Sequence, residues 1–128
     1  MTNLTAAPNY AEAFSVFANG SDVYVAGYES SGSINVGKFW KNGTATTITT
    51  PARDGALTSV FVSGTDVYTT GYEANANNTY DIAKIWKNGV ATTLAGGINT
   101  DAYGYSVTVS GTDVYARSEE HTSELQSQ

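Results

Sequence analysis

The segment SVFANGSDVYVAGYE, Ser15 to Glu29, returns as SVFVSGTDVYTTGYE, Ser59 to Glu73, and begins again as SVTVSGTDVY, Ser106 to Tyr115. A second block, KFWKNGTATTI from Lys38, returns as KIWKNGVATTL from Lys84, so the unit is about 46 residues long. Self-similarity at this period constrains the fold more than any single residue does. Each unit must be one supersecondary element that cannot bury its apolar faces alone and finds partners in its neighbours. Leu4, Ile48 and Leu94 hold one repeat position. The chain is therefore expected to open in the last strand of a preceding unit, run through two whole units and enter a third.

Turn signals divide each unit into four short strands. In the first unit these are Phe14 to Ala18, Asp22 to Tyr28, Ile34 to Lys41 and Thr44 to Thr49. In the second they are Leu57 to Val62, Asp66 to Tyr72, Ile82 to Lys87 and Val90 to Leu94. Asn19-Gly20-Ser21 is a tight turn in which glycine tolerates positive φ. Asn42-Gly43 and Asn88-Gly89 are the strongest short hairpin signal, a two-residue type I′ turn. The second strand places Val23 and Val25 on one face and Tyr24, Ala26 and Tyr28 on the other, so neither face is frankly polar. That is the pattern of a sheet packed on both sides. β-Branched and aromatic enrichment favours strand over helix.

A length near 46 residues, four strands and two-sided burial are what one blade of a β-propeller requires. The fold class expected is all-β, a partial propeller of four-stranded antiparallel blades. Residues 1–12 are the end of a preceding blade with its connection, and 13–50 a complete blade. Residues 51–96 are a connection and a second blade, and 97–116 a connection and the start of a further one. After Ala116 the motif should continue as Gly-Tyr-Glu but reads RSEEHTSELQSQ. The repeat thus breaks in mid-strand, where no domain boundary should fall. This string resembles the in-frame translation of a common sequencing-library adapter. Residues 117–128 are accordingly expected to be a non-native or disordered tail, and His121 to carry no functional weight.

The pattern Asp-Val-Tyr-Val-Ala-Gly-Tyr-Glu, a variable loop, then Gly-Lys-Phe-Trp-Lys-Asn-Gly resembles the β-propeller repeats of secreted and cell-surface bacterial proteins. The resemblance covers Leu4 to Ala116. It implies a scaffold with an extracellular or cell-envelope location and a parent ring of roughly six to eight blades. The Gly-Gly pair of kelch units and the Trp-Asp ending of WD40 units are missing, so the partners of those families are not implied.

Before Arg117, five basic residues face nine carboxylates. No basic patch exists to release counterions from phosphate, which argues against nucleic acid. There is no apolar run long enough to insert into a membrane as a helix. No cysteine occurs, so disulfides and thiolate metal sites are ruled out. Without a cysteine, and with His121 set aside, the familiar nucleophilic triads cannot be assembled.

In a four-stranded meander the first and third turns lie at one end, and the second turn and the link to the next unit at the other. The second connection varies, with Tyr28 to Trp40 spanning 12 residues and Tyr72 to Trp86 spanning 14. Variable loops gathered at one end are where a repeat scaffold places its binding groups. The candidate face is Glu29 to Ser33, Thr50 to Ala56, Glu73 to Tyr80 and Gly96 to Tyr103. Its candidate ligand-binding residues are Glu29, Arg53, Asp54, Glu73, Asn77, Tyr80, Asp101 and Tyr103.

Other recurring residues have structural readings. Asp22, Asp66 and Asp113 follow a turn and are expected to accept backbone bonds, since calcium needs six or more oxygens and no Asp-x-Asp-x-Asp cluster accompanies them. Glu29 and Glu73 recur identically, whereas an acid and a base need different environments, so they are read as solvated strand ends. Trp40 and Trp86 are expected to pack between blades, with the flanking lysine heads reaching solvent. Asn42-Gly43-Thr44 and Asn77-Asn78-Thr79 match the glycosylation acceptor by chance composition. The functional expectation is a non-catalytic binding or structural module, with no cofactor or metal, for a glycan or protein ligand. The alternative is a piece of a propeller-scaffold hydrolase or lyase with its catalytic residues elsewhere. Apolar faces and open sheet edges also predict self-association of the isolated chain.

Overall fold

The computed structural model describes residues 3–5, 10–30 and 32–122. Among the described residues ten strands follow one another: β1 (Ala11–Asn19), β2 (Asp22–Ser30), β3 (Asn35–Lys41), β4 (Thr44–Thr47), β5 (Gly55–Ser63), β6 (Asp66–Ala74), β7 (Asp81–Lys87), β8 (Val90–Gly96), β9 (Thr100–Ser110) and β10 (Asp113–Thr122). They pair antiparallel with their sequence neighbours into sheets β1-β2-β3-β4 and β5-β6-β7-β8 and the hairpin β9-β10. The fold is all-β, and every strand expected from the turn signals is present. The first two strands of each unit run two or three residues further at one end than the turn signals mark, because backbone pairing does not depend on side-chain type.

The three sheets stack through one repeated relationship. β5 lies against β1, β2 and β3, and β9 lies against β5, β6 and β7. Between the first two sheets the core joins Tyr24 and Ala26 to Leu57, Val60, Val62 and Trp86, with Phe17, Phe39, Ile48 and Val67 around them. The middle sheet is thereby covered on both faces, as its lack of a polar face requires. Trp40 and Trp86 are both buried.

A bulge recurs at Ala13/Ser15 in β1 and at Leu57/Ser59 in β5. Opposite it stands the glycine of the Gly-Tyr-Glu motif. A Cβ on Gly27 would run into the Glu12 carbonyl oxygen, and one on Gly71 into the Ala56 carbonyl oxygen. The repeated glycine is therefore a requirement of close strand approach.

Asn42 and Asn88 have φ of 50° and 51° and are followed by Gly43 and Gly89 at 88° and 85°, as a type I′ turn demands. Each asparagine also clamps the neighbouring turn. Asn42 Oδ1 accepts from Val23 N–H at 2.8 Å while its Nδ2 donates to Asp22 Oδ1 at 2.9 Å. Asn88 does the same with Val67 and Asp66, at 2.8 and 2.9 Å. The expectation that Asp22 and Asp66 accept backbone bonds is corrected here: their acceptors serve the asparagine amide, which reaches them first across the sheet. Lys41 and Lys87 are half-exposed above Tyr24 and Tyr68, 5.7 and 5.8 Å from the ring centroids. Asn88→Ala should cost about 1 kcal/mol through the lost bonds and strained φ. Asn88→Gly, which keeps the turn geometry, should cost less; chemical denaturation of both variants measures the difference.

Strand β10 does not stop at Ala116. Arg117 pairs with Ser106, Ser118 with Gly104, and pairing continues to Thr122 opposite Thr100. The sequence reading leaves 117–122 out of the fold, whereas the ladder includes them, because pairing uses backbone N–H and C=O groups that any residue but proline supplies. Ser118 stands where Gly27 and Gly71 stand in the other sheets. Residues 123–128 lie outside the described part, as do 1–2 and 6–9; the described residues 3–5, expected in the last strand of a preceding unit, form no strand.

Candidate functional site

The end of the stack that carries the variable connections holds residues 32–34, Ile48–Asp54, Asn75–Tyr80 and Gly97–Asn99; Ser31, within the first expected loop, lies outside the described residues. All eight candidate residues are at or beside this end. Most of them are already engaged.

Glu73 is 2 % exposed, which corrects its reading as a solvated strand end. Its Oε2 lies 3.5 Å from Arg53 Nη1 and 3.9 Å from Lys84 Nζ, and its Oε1 accepts from Thr50 N–H at 3.3 Å. The connection after β4 folds over the rim of the second sheet and brings Thr50 and Arg53 to it. Glu29, at the matching position, bonds Lys38 Nζ at 2.7 Å and is also largely covered. Lys38 and Lys84 are themselves repeat equivalents, so the Glu-Lys pair is a built-in part of each unit.

Asp54 and Asp101 form a second repeated device. Asp54 Oδ1 accepts from Asn35 N–H at 2.7 Å, and Asp101 Oδ1 from Asp81 N–H at 2.9 Å. Asn35 and Asp81 both open the third strand of a sheet, and the aspartate that holds each arrives from the next unit. Both candidates are therefore latches between successive sheets.

Tyr103 sets its ring edge against Tyr72, with centroids 5.0 Å apart and planes at 88°, an arrangement that suits the ring quadrupoles. Its hydroxyl donates to the Asp81 carboxylate. Burial, then the charges of Asp81 and Asp101, hold the Tyr103 hydroxyl well above the usual tyrosine range. Tyr72 is pushed up to about 12 by burial first and by Asp81 and Asp54 next. Asp81 is raised above the ordinary carboxylate value by burial; the Tyr103 hydrogen bond opposes this, and the nearby Asp101 and Asp54 reinforce it.

A raised carboxylate value has a definite sign in stability. The folded state holds the Asp81 proton more tightly than the unfolded chain, so its contribution is complete below the ordinary value of 3.8 and is lost as pH rises through the folded value. Asp81→Asn keeps an acceptor for Tyr103 and removes the charge. It should be more stable than the parent at neutral pH, with the gain vanishing in acid; melting curves across that range test it.

Asn77 and Tyr80 remain. They belong to the Asn75–Tyr80 connection, which Asn75 closes on itself: its Oδ1 accepts from Thr79 N–H at 2.9 Å and Tyr80 N–H at 3.4 Å, its Nδ2 donates to Thr79 Oγ1 at 3.0 Å, and its own N–H donates to the Tyr80 carbonyl at 2.8 Å. Asn75 Nδ2 also reaches Gly97 O at 3.1 Å. Asn78 ties the loop to the neighbouring connection, accepting from Asp54 N–H at 3.1 Å and donating to Ala52 O at 3.4 Å. Asn77 is exposed on this anchored loop and Tyr80 is half-buried beside it. Asn75, Asn78 and Asp81 were not singled out from sequence. No local turn signal marks Asn75, because its side chain bonds backbone four and five residues on, beyond the two-residue reach of an Asx turn.

Among the described residues, no group of three His, Cys, Asp or Glu side chains could hold a metal ion. No described helix is long and apolar enough to cross a membrane, which leaves strand-based insertion unaddressed. No protein-family model, curated protein or solved structure matches this chain.

Proposed function

We propose that this chain is a segment of a β-propeller acting as a non-catalytic binding module of a secreted or cell-surface bacterial protein. It would take a glycan or a protein surface at the end bearing the Asn75–Tyr80 loop. The observation that carries the reading is that loop's organisation. It is the longer of the two equivalent connections, it is polar, and its backbone is held by Asn75 and Asn78. A preorganised polar loop loses little entropy on binding, and its amide and phenol groups suit the hydroxyl and peptide groups of such ligands. The aspartates Asp54 and Asp101 beside it fasten successive sheets, which supports a scaffold role. A composition rich in Thr, Asn, Gly and Tyr supports the extracellular or envelope location.

The test is to probe arrays of bacterial glycans and envelope proteins with the chain, then repeat the assay with Asn77→Ala and Tyr80→Ala. Binding that is lost in both variants and kept in Asn42→Gly, at the opposite end, supports the reading. Absence of any ligand, or a ligand insensitive to both changes, overturns it.

A further inference from the structure

Between successive sheets a second bond repeats along the first strand. Val60 N–H donates to Ser15 Oγ at 3.3 Å, and Val107 N–H to Ser59 Oγ at 3.4 Å. Ser15, Ser59 and Ser106 share one repeat position, and Val16, Val60 and Val107 the next. Val60 and Val107, each facing a preceding sheet, are both 3 % exposed, whereas Val16 is 66 % exposed. The opposite surface shows the same break. Tyr24 and Tyr68, each facing a following sheet, are 5 % and 7 % exposed, whereas their equivalent Tyr115 is 58 % exposed.

The two outer surfaces are thus the two halves of the contact that the chain already makes twice within itself. On the first sheet, Val16 and Val23 lie exposed beside an open groove of about 360 Å³ lined by Leu4, Phe14, Val16 and Val25. On the last hairpin, Ser106, Thr108 and Tyr115 are exposed, with Ser106 in the place from which Ser15 and Ser59 accept.

We propose that a second copy of this chain docks head to tail, the β9-β10 surface of one molecule on the β1-β2 surface of the next, reproducing the internal sheet-to-sheet contact. The inference rests on the stacked-unit part of the functional reading and is independent of any ligand at the loops. Because the two surfaces differ, the contact is heterologous, and it propagates into a ring or an open string instead of ending at a dimer. Valine burial and the serine-to-amide bond set its register. One residue opposes it: Arg117 replaces the buried Ala26 and Thr70 of the other sheets. Its guanidinium is drawn aside over the Tyr105 ring, 5.0 Å from the centroid, and toward Glu119 at 3.3 Å. Docking must displace or accommodate it, which weakens the contact.

The experiment is sedimentation velocity of the whole chain over a wide concentration range, alone and with Val16→Lys, Tyr115→Lys and Arg117→Thr, with circular dichroism verifying that each folds. All three positions are exposed, so folding should survive. The parent's mass should rise with concentration beyond a dimer. Either lysine variant alone should lose association by roughly tenfold or more. An equimolar mixture of the two should form a dimer that does not grow, because each retains the surface the other has lost. Arg117→Thr should associate more tightly. A parent monomeric at every concentration overturns the proposal. So does a lysine variant that still pairs with itself, or a mixture that stays monomeric. A chain that associates as described but binds nothing on the arrays would leave this proposal standing and remove the ligand reading.

Discussion

Glu73→Ala is expected to lower the unfolding free energy by about 3 kcal/mol, a large share of the stability of a domain this size. The carboxylate is nearly sealed from water and faces Lys84 and Arg53, whose side chains are 14 % and 32 % exposed. Removing it strands the Lys84 ammonium in a covered site and deprives Thr50 N–H of its acceptor. The cost arises mainly from what is left behind, which is why breaking such a group costs more than the intact group contributes. Glu29→Ala removes the Lys38 pair from the first sheet, where both side chains are more open to water than Lys84 and Glu73, and should cost less, about 1 kcal/mol. Urea unfolding at low protein concentration, followed by tryptophan fluorescence and circular dichroism, compares the two. Equal losses would mean that the deeper burial of Glu73 adds nothing.

Gly71→Ala should cost a similar amount, about 3 kcal/mol, through sterics alone. The added methyl has no room beside the Ala56 carbonyl, and that carbonyl belongs to a buried strand paired through a bulge, so neither can retreat without opening the ladder. Gly64→Ala is the contrasting case. Its Cβ would meet nothing, and the penalty comes only from a φ of 62°, about 1 kcal/mol. If the two variants unfold at the same urea concentration, the close approach at Gly71 is not what fixes glycine there.

The strand order, the I′ turns and the burial of both tryptophans were legible in the repeat, because each depends on contacts within about twenty residues of chain or on side chains that have no other place to go. The charged residues were read less well. Glu73 looks like a solvated strand end when its unit is considered alone, since the groups that cover it, Thr50 and Arg53, come from the preceding connection, which differs between units. Asp54 and Asp101 looked like ligand groups for the same reason: the amide each one holds lies in another sheet. Asp22 stands just after a turn, as its motif implies, but its partner Asn42 comes beside it only through the pairing of β2 with β3. Repetition reveals what every unit must do for itself and conceals what units do for one another. The loop organised by Asn75 is hidden for the same reason, since its bonds also run out to Gly97, Ala52 and Asp54 in the neighbouring connections.

The aspartate latches also give synthesis an order. Asp54 fastens Asn35, 19 residues earlier, and Asp101 fastens Asp81, 20 residues earlier. A sheet leaving the ribosome can therefore pair all its strands while the first amide of its third strand still awaits a carboxylate that has not been translated. Each unit matures only when the start of its successor emerges, so the growing chain carries one provisional sheet at its leading edge and consolidates behind it.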